Sequence, residues 1–338
     1  MVYNISLTTM RERKFSRRDF LLSGLAAGLS AVLADGRVTL AQIDAQTATP
    51  QRAKSTRMEE GQPSATAQGA AMHRAAHQLL DVPKILDDPL ALRIIGPDAE
   101  SELRSNPERF QKSRYLRAFI VLRSRYTEDE LARAIQSGVR QYVILGAGLD
   151  TFAYRNPYSG SRLRVFEVDH PATQSWKRAR LREAEIAIPD SLTFAPVDFE
   201  RQTLADGLSR AGFKINEAAF FSLLGVVVYL TKTAVMETLK FVASLPSGSE
   251  IVFDYSISPS AMSESQRFFH EVRASRVADI GEPWITYFDP SSLANELRGL
   301  GFKHVEDVGP EEANHRYFKD RKDALFILGG GRLMKTRI

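Results

Sequence analysis

The sequence predicts an α/β fold in which helices cover both faces of a mostly parallel sheet. From residue 141 onward, short apolar segments of strand character alternate with longer segments of helical character. Strands that are apolar along their whole length are typical of parallel sheets, because both faces of such a sheet are buried. The first of these strands ends in Gly-Ala-Gly, which indicates a backbone that passes very close to another group.

Size and composition limit the class of protein. The chain has 338 residues, of which 43% are hydrophobic, enough for one large core or two smaller ones. Its net charge of +4 is small, and no basic block alternates with aromatic residues, so we expect no nucleic-acid partner. There is no cysteine, which excludes disulfides, thiolate metal sites and a cysteine nucleophile.

The first 41 residues resemble an export signal. Arg17 and Arg18 stand before an apolar run in "SRRDFLL", which is similar to the twin-arginine motif. The apolar stretch over residues 21–34 is too short to span a bilayer, so we expect no stable membrane insertion. Cleavage after Ala41 would release the protein to the periplasm or the exterior. The alternative is a chance leader, or an upstream extension, on a cytoplasmic protein.

The segment over residues 42–64 lacks a sustained period and predicts a disordered linker. A folded domain is predicted over residues 65–330, followed by a C-terminal tail over residues 331–338. The first helix, "ATAQGAAMHRAAHQLL", carries His73 and His77 at a spacing that suits a metal pair. No third ligand follows at a matching spacing, so the pattern favours a plain helix face and no metal site.

The remaining elements follow in order along the chain. Two helical segments, "DDPLALRIIG" and "SRYLRAFIVLRSRYTEDELARAIQSG", come before the first strand. Five strands are predicted in "RQYVILGAG", "RLRVFEVD", "LTFAPVD", "AAFFSLLGVVVYL" and "SEIVFDYS", with helices in "ATQSWKRARLREAEI", "TLADGLSRAG" and "KTAVMETLKFVASL". A helix in "PSSLANELRGLG" and strands in "KHVEDVG" and "DALFILGG" complete the domain. The segment before that helix, which includes "SESQRFFHEVRASRVADIGEPW", predicts a helical lid above the carboxyl ends of the strands.

The glycine loop "LGAGLDT" distinguishes between two kinds of nucleoside ligand. A dinucleotide fingerprint would place a third glycine where Thr151 stands, beside Asp150. A carboxylate there would repel a pyrophosphate bound at helix amides, but it would attract the amino group of S-adenosylmethionine, which has no phosphate. The loop therefore favours Gly146, Gly148 and Asp150 as residues that bind S-adenosylmethionine.

Acidic residues at the ends of the next two strands support a nucleoside site. Asp169 lies about 20 residues beyond the glycines, the spacing at which a carboxylate meets ribose hydroxyls. Asp198 and Phe199 end the third strand, where an acid and an aromatic ring suit an adenine base. Each acid by itself could equally be a solvated carboxylate at a strand end, so the prediction depends on their order and repeated spacing.

The runs "GVRQYVILGAGLDTFAYR", "VFEVDHPATQSWKRARL" and "FFSLLGVVVYLT" resemble the leucine carboxyl methyltransferase-like family, in particular its bacterial branch. The resemblance covers about residues 65–329 and implies a Rossmann-like class I methyltransferase fold with S-adenosylmethionine as methyl donor. It also implies that Gly146 and Gly148 line the cofactor, that Asp169 holds the ribose, and that Asp198 with Phe199 borders the adenine.

Three further residues follow from the same resemblance. Arg123 matches an arginine that faces the methionine carboxylate, a contact that suits a bidentate guanidinium, with neighbouring Arg125 as the alternative. Leu224 stands where family members often carry a glutamate, so a polar contact near the fourth strand is absent. Tyr229 matches an aromatic position of the family and is a candidate substrate contact, with core packing as the alternative.

The resemblance implies a methyltransferase, and we expect methylation of an oxygen on a small-molecule or carboxylate acceptor. The donor carries its own activation, so the protein mainly aligns the acceptor and excludes water. A hydroxyl acceptor would also need a general base. Arg316 and Tyr317 are candidate substrate contacts, although Arg316 could instead pair with Glu311 or Glu312. The candidate bases are His270, Glu271, Glu282, His315 and Tyr317.

Two other functions stay open on the sequence. A nicotinamide-dependent oxidoreductase could use a similar sheet, but Asp150 and Thr151 argue against it. A binding module without catalysis is compatible with the missing glutamate and with the export-like leader. A serine hydrolase is not supported, because the chain contains no Gly-x-Ser-x-Gly sequence.

Overall fold

A computed structural model describes residues 64–158, 162–198 and 202–338. The predicted leader, the predicted linker up to residue 63 and Phe199 lie outside these residues. All of the described residues belong to one compact unit, which continues to the last residue of the chain. None of the helices in these three ranges is both long and apolar enough to cross a membrane.

Seven strands form one sheet in the order β3-β2-β1-β4-β5-β7-β6. They are β1 (Gln141–Leu145), β2 (Arg164–Asp169), β3 (Leu192–Pro196), β4 (Phe220–Leu223), β5 (Glu250–Ser256), β6 (His304–Val308) and β7 (Gly331–Arg337). The first five strands pair in parallel, whereas β7 runs antiparallel to β5 and β6. The predicted mostly parallel sheet is confirmed, and the chain reverses its direction of winding between β1 and β4. Such a switch point is where open α/β sheets bind ligands.

Helices pack against both faces of this sheet. They are α1 (Ala65–Leu80), α2 (Ala91–Ile95), α3 (Pro97–Ser105), α4 (Pro107–Gln111), α5 (Arg114–Gln136), α6 (Pro171–Glu183), α7 (Leu204–Arg210), α8 (Lys232–Ala243), α9 (Glu264–Asp279), α10 (Pro290–Gly299) and α11 (Pro310–Tyr317). Tyr142 and Ile144 of β1 enter one apolar cluster with α5, while Val143 and Leu145 enter another with α7, α8 and α10. Because side chains alternate across a strand, the two clusters lie on opposite faces of the sheet.

The last strand differs from its prediction. The segment "DALFILGG" contains no strand, and β7 occupies residues 331–337, where we expected a C-terminal tail. The charged residues of this segment have partners in the fold. Arg332 lies 2.7 Å from the Asp307 carboxylate of β6, and Lys335 lies 3.4 Å from that of Glu250 on β5. Leu333 and Met334, which lie between these ion-paired residues, are buried, so tertiary pairing decides the position of the strand.

A buried ion pair joins α5 to the end of α1. Arg117 donates from Nε and from an NH2 group to the two carboxylate oxygens of Asp81, at 2.7 and 2.8 Å. The same carboxylate lies 2.7 Å from Nδ1 of His77, whose Nε2 accepts the N–H groups of Ile85 and Leu86. Both ring nitrogens of His77 are therefore engaged within the protein, and the spacing of His73 and His77 does not form a metal pair.

We expect Asp81→Asn to lower the free energy of unfolding by about 3–5 kcal/mol at pH 7, because it leaves the buried Arg117 charge without its counterion. Burial raises the pKa of Asp81, but the hydrogen bonds from His77 and Arg117 outweigh it and hold this pKa below 3.8. A lowered pKa stabilises the folded state above the pKa of the unfolded chain, and this contribution is lost as the pH falls through the folded value. The difference between wild type and variant therefore shrinks below about pH 4.

Urea unfolding at several pH values measures this difference. Asp87→Asn is the matched control, because Asp87 pairs with Lys84 on the surface and its side chain is 77% exposed. Equal unfolding free energies for Asp81→Asn and Asp87→Asn at pH 7 would contradict the prediction.

Candidate functional site

A cavity of about 1290 Å³ lies at the carboxyl ends of the parallel strands. Ligand pockets commonly have volumes of about 300–1,000 Å³, so this cavity exceeds the needs of one small ligand. The loops after β1, β2 and β3 line one half of it together with α1. The other half is lined by α9, by the loop after α9 and by the segment before β7. The predicted lid is thus a helix and loop at the cavity.

The glycine loop after β1 needs its glycines because of the protein's own packing. Gly146 and Gly148 have φ angles of +67° and +41°, which side chains of L-residues rarely adopt. A Cβ atom at Gly146 would lie 2.4 Å from Val226, and one at Gly148 would lie 3.1 Å from Ala67 of α1. The groups that come close to these glycines therefore belong to the protein itself. Because neither glycine carries a side chain, the backbone of the loop faces the cavity directly.

Asp169, the last residue of β2, holds this loop in place. Its carboxylate accepts the N–H of Gly148 at 2.6 Å and the N–H of His170 at 2.7 Å. Burial raises the pKa of Asp169, and these two N–H groups act in the opposite direction. A carboxylate has about four lone-pair positions, so two remain for a ligand in the cavity.

The other two predicted acids also line the cavity. Asp150 caps the turn after the glycine loop, because its Oδ1 accepts the N–H of Phe152 at 2.8 Å. Asp198 follows β3 at the neighbouring strand end. Asp150, Asp169 and Asp198 thus lie on the same side of the sheet edge as the glycines. Thr151 turns away into a buried hydrogen bond with Asp88, 2.6 Å from Oγ1 to Oδ2.

Arg123 reaches the cavity from α5, and Arg125 does not. The guanidinium of Arg123 lies 3.3 Å from the Asp254 carboxylate of β5. It also packs on Gly225 after β4, where an added Cβ would lie 2.6 Å from its nitrogens. Arg125 is half exposed and bonds Asp129 at 2.9 Å, outside the residues that line the cavity. Geometry therefore selects Arg123 from the two alternatives.

Glu282, a candidate base, instead connects the lid loop to α1. Its carboxylate accepts the N–H of Ala65 at 2.8 Å, the Ser64 hydroxyl at 3.2 Å and the Thr66 hydroxyl. The first backbone N–H groups of a helix have no partner within the helix, and a negative charge there is favourable. Glu282 thus fastens the lid to the helix that covers the glycine loop.

The remaining predicted residues divide between the cavity and the surface. Tyr229, Leu224 and His270 line the cavity, and Nε2 of His270 lies 3.2 Å from the Tyr287 hydroxyl. Arg316 does not line it: this guanidinium pairs with Glu306 at 2.9 Å and with Glu312. The Tyr317 hydroxyl donates to Asp129 at 3.1 Å, and Glu271 and His315 are exposed. We therefore do not retain Arg316, Tyr317, Glu271 or His315 as site residues.

Two cavity residues were not predicted as functional. His73 faces the cavity from α1, and Arg273 faces it from α9. One face of α9 carries His270, Arg273 and Val277 at helical spacing. This spacing is the sequence feature that could have identified them as neighbours in the cavity. On sequence alone the face was indistinguishable from a charged surface, because Arg276 and Glu271 lie among these residues.

Among known proteins, the model of the leucine carboxyl methyltransferase family matches residues 67–243. YktD of Bacillus subtilis, described as a candidate S-adenosyl-L-methionine-dependent methyltransferase, is 35% identical over 296 residues, which cover 79% of this chain and 95% of YktD. A similarly described protein of Frankia alni is 29% identical over 245 residues, 71% of this chain and 82% of its own. The crystal structure of a candidate methyltransferase from Thermobifida fusca superposes with a TM-score of 0.50 at 16% identity, covering 82% and 96% of the two chains.

We expect Glu282→Ala to loosen the first turn of α1, because the N–H of Ala65 and the hydroxyls of Ser64 and Thr66 lose their acceptor. Loss of a helix cap costs about 0.5–2 kcal/mol, so amide hydrogen exchange in this turn should accelerate by roughly two- to thirtyfold. Glu271→Ala is the control, because Glu271 is exposed on the lid helix and outside the contact. Equal exchange in the two variants would show that Glu282 does not fasten α1.

Proposed function

The chain belongs to the leucine carboxyl methyltransferase family of S-adenosylmethionine-dependent methyltransferases, and we propose that it methylates an oxygen of a small-molecule or carboxylate acceptor. One observation carries the residue assignment: the glycine loop, Asp169 and Arg123 meet at one cavity. They come from β1, β2 and α5, three elements that the fold brings together at its switch point.

The residues of this cavity fit S-adenosylmethionine. In our proposal the two remaining lone-pair positions of Asp169 accept the ribose hydroxyls, and the bare backbone at Gly146 and Gly148 lies against the nucleoside. Asp150 attracts the amino group, and Asp198 bonds the adenine. Phe199 keeps its predicted place beside the adenine from the resemblance alone, because it lies outside the described residues.

Arg123 is assigned to the methionine carboxylate. A guanidinium has five N–H donors, and the single 3.3 Å contact with Asp254 leaves several of them available. Asp254 also accepts the N–H of Gly225, so the carboxylate fixes Arg123 against the end of β4. Arg binds carboxylates in a bidentate geometry, which suits this position.

The bound cofactor supplies a methyl group on a sulfonium, which already carries the activation that the transfer needs. This chain's residues hold both partners in line and exclude water, which α1 and the lid accomplish by covering the cavity. A carboxylate acceptor needs no base. For a hydroxyl acceptor, the cavity offers His270, whose pKa is lowered by burial and then by the charge of Arg273, so the imidazole is neutral at pH 7.

The experiment that tests the function supplies the purified protein with S-adenosylmethionine carrying a labelled methyl group and with fractionated cell extract. We expect label in a product whose methyl is lost on ester or ether cleavage. Label on nitrogen or carbon would contradict O-methylation. Binding of the donor without any labelled product would favour a binding module, and binding of NADH in its place would favour an oxidoreductase.

We expect Asp169→Ala to weaken the binding of S-adenosylmethionine, as measured by calorimetry. Loss of charge-assisted hydrogen bonds costs about 1.5–3 kcal/mol, which corresponds to roughly ten- to 150-fold in affinity. Asp190→Ala is the control, because Asp190 is exposed at the opposite end of β3. A melting curve separates loss of the fold from loss of binding, and unchanged affinity in folded Asp169→Ala would refute the ribose assignment.

We expect Arg123→Met to weaken S-adenosylmethionine binding by about tenfold or more, since it removes the bidentate cation. Arg125→Met removes the same charge two residues away and should leave the affinity unchanged. The pair distinguishes the two arginines directly. A larger loss in Arg125→Met than in Arg123→Met would reverse the assignment.

A further inference from the structure

Arg273 places a guanidinium at the cavity without a counterion. Among the other arginines that line the cavity, Arg123 pairs with Asp254 and Arg74 with Asp88, at 3.3 and 3.5 Å. Arg276, which is exposed on the same helix as Arg273, also has no carboxylate within 4.0 Å among the described residues. Within the described ranges, no carboxylate lies within 4.0 Å of Arg273 and no group accepts a hydrogen bond from it. Its donors are therefore free to bind a ligand.

Partial burial makes the lack of a counterion for Arg273 energetically unfavourable. It lowers the pKa of Arg273 to about 10, so the side chain still carries its charge at pH 7. Arg273 is partly buried, and a cation in that position is commonly compensated by an anion or by hydrogen bonds. The fold supplies neither here, which points to an anion that arrives from solution.

The position of Arg273 separates it from the predicted donor site. An added Cβ at Gly329 would lie 3.7 Å from its NH1, and the segment of Gly329 leads into β7, where Gly331 pairs with Ser256 of β5. In the sheet β7 lies three strands from β1, a distance of about 14 Å. Arg273 thus faces the half of the cavity away from the glycine loop.

Much of the lining of this half is apolar, although Arg276 and Glu282 also belong to it. Its lining includes Leu116, Phe119, Ile327 and Leu328. His73 belongs to α1, which lines the half with the glycine loop, but it lies near enough to Arg273 to be affected by its charge. Its Nδ1 is buried and has no hydrogen-bond partner among the described residues. Burial, followed by the charges of arginines that include Arg273, lowers the pKa of His73 to about 3, so this ring is neutral. Arg273 and Arg276 therefore give this half of the cavity two cations among apolar side chains and a neutral imidazole.

We propose that Arg273 binds the anionic group of the methyl acceptor, and that the acceptor is an amphipathic organic carboxylate with an apolar body. The inference rests on the proposed function, since it assigns the acceptor half of the same cavity. Arg273 is a specificity residue on the lid helix, which would select the acceptor by charge. Its anion is separate from the methionine carboxylate, which is assigned to Arg123.

The test uses decanoate and decan-1-ol as probes of the full chain saturated with S-adenosylhomocysteine, the demethylated donor. Calorimetry should show decanoate binding to wild type, and binding about tenfold or more weaker to Arg273→Gln. Arg273→Lys should retain part of the affinity, because it keeps the charge. Decan-1-ol should bind wild type and Arg273→Gln equally. Arg267→Gln, on the same helix but outside the cavity lining, should behave as wild type.

Affinity for S-adenosylhomocysteine separates this inference from the proposed function. Failure of wild type to bind it would defeat the function itself. Unchanged affinity in Arg273→Gln with loss of decanoate supports the inference. Three results would overturn it: no decanoate binding by wild type, equal losses of decanoate and decan-1-ol in Arg273→Gln, or loss of S-adenosylhomocysteine in that variant, which would place Arg273 at the donor.

Discussion

The hydrogen bond between the Asp169 carboxylate and the N–H of Gly148 fixes the geometry on which the site depends. It joins the last residue of β2 to the loop after β1, at 2.6 Å. The carbonyl of Val168, one residue earlier, accepts the N–H groups of Gly146 and Ala147. The end of β2 thus holds three successive amides of the loop, and the loop in turn receives α1 against Gly148. Without these hydrogen bonds, neither the glycine loop nor α1, which packs on it, would have a defined position at the cavity.

Two segments far apart in the sequence close the cavity. Helix α1 begins the described chain and packs on the glycine loop, where Arg74 donates to the carbonyl of Leu149. The lid follows β5, and Glu282 binds it to the first turn of α1. Water exclusion, which methyl transfer requires, therefore depends on one carboxylate at a helix N-terminus rather than on a continuous domain.

Three acids and one lid arginine lie in different parts of this cavity, although Arg123 and Glu282 bring the opposite charge to each part. Asp150, Asp169 and Asp198 lie around the strand ends of β1 to β3, whereas Arg273 lies at the lid. A sulfonium nucleoside with an amino group suits the first half, and an anion suits the second. The acids follow from the topology, because they stand at or just after the ends of β1, β2 and β3, and the inserted helix presents Arg273 to the same edge of the sheet.

By itself, the sequence determined the α/β class, the limits of α1 and the strand acids, because hydrophobic period and strand-end position are local properties. It also singled out Gly146 and Gly148, although the reason for them, contact with Val226 and Ala67, is visible only in the fold. Tertiary structure alone decided that residues 331–337 form β7, that Arg316 is a surface ion pair, and that Glu282 is a helix cap. The position of β7 and the role of Glu282 depend on partners distant in the chain, and Arg316 pairs with Glu306 of β6 as well as with Glu312 on its own helix. A charged side chain carries no local sign of whether it meets a counterion, a helix end or an open cavity.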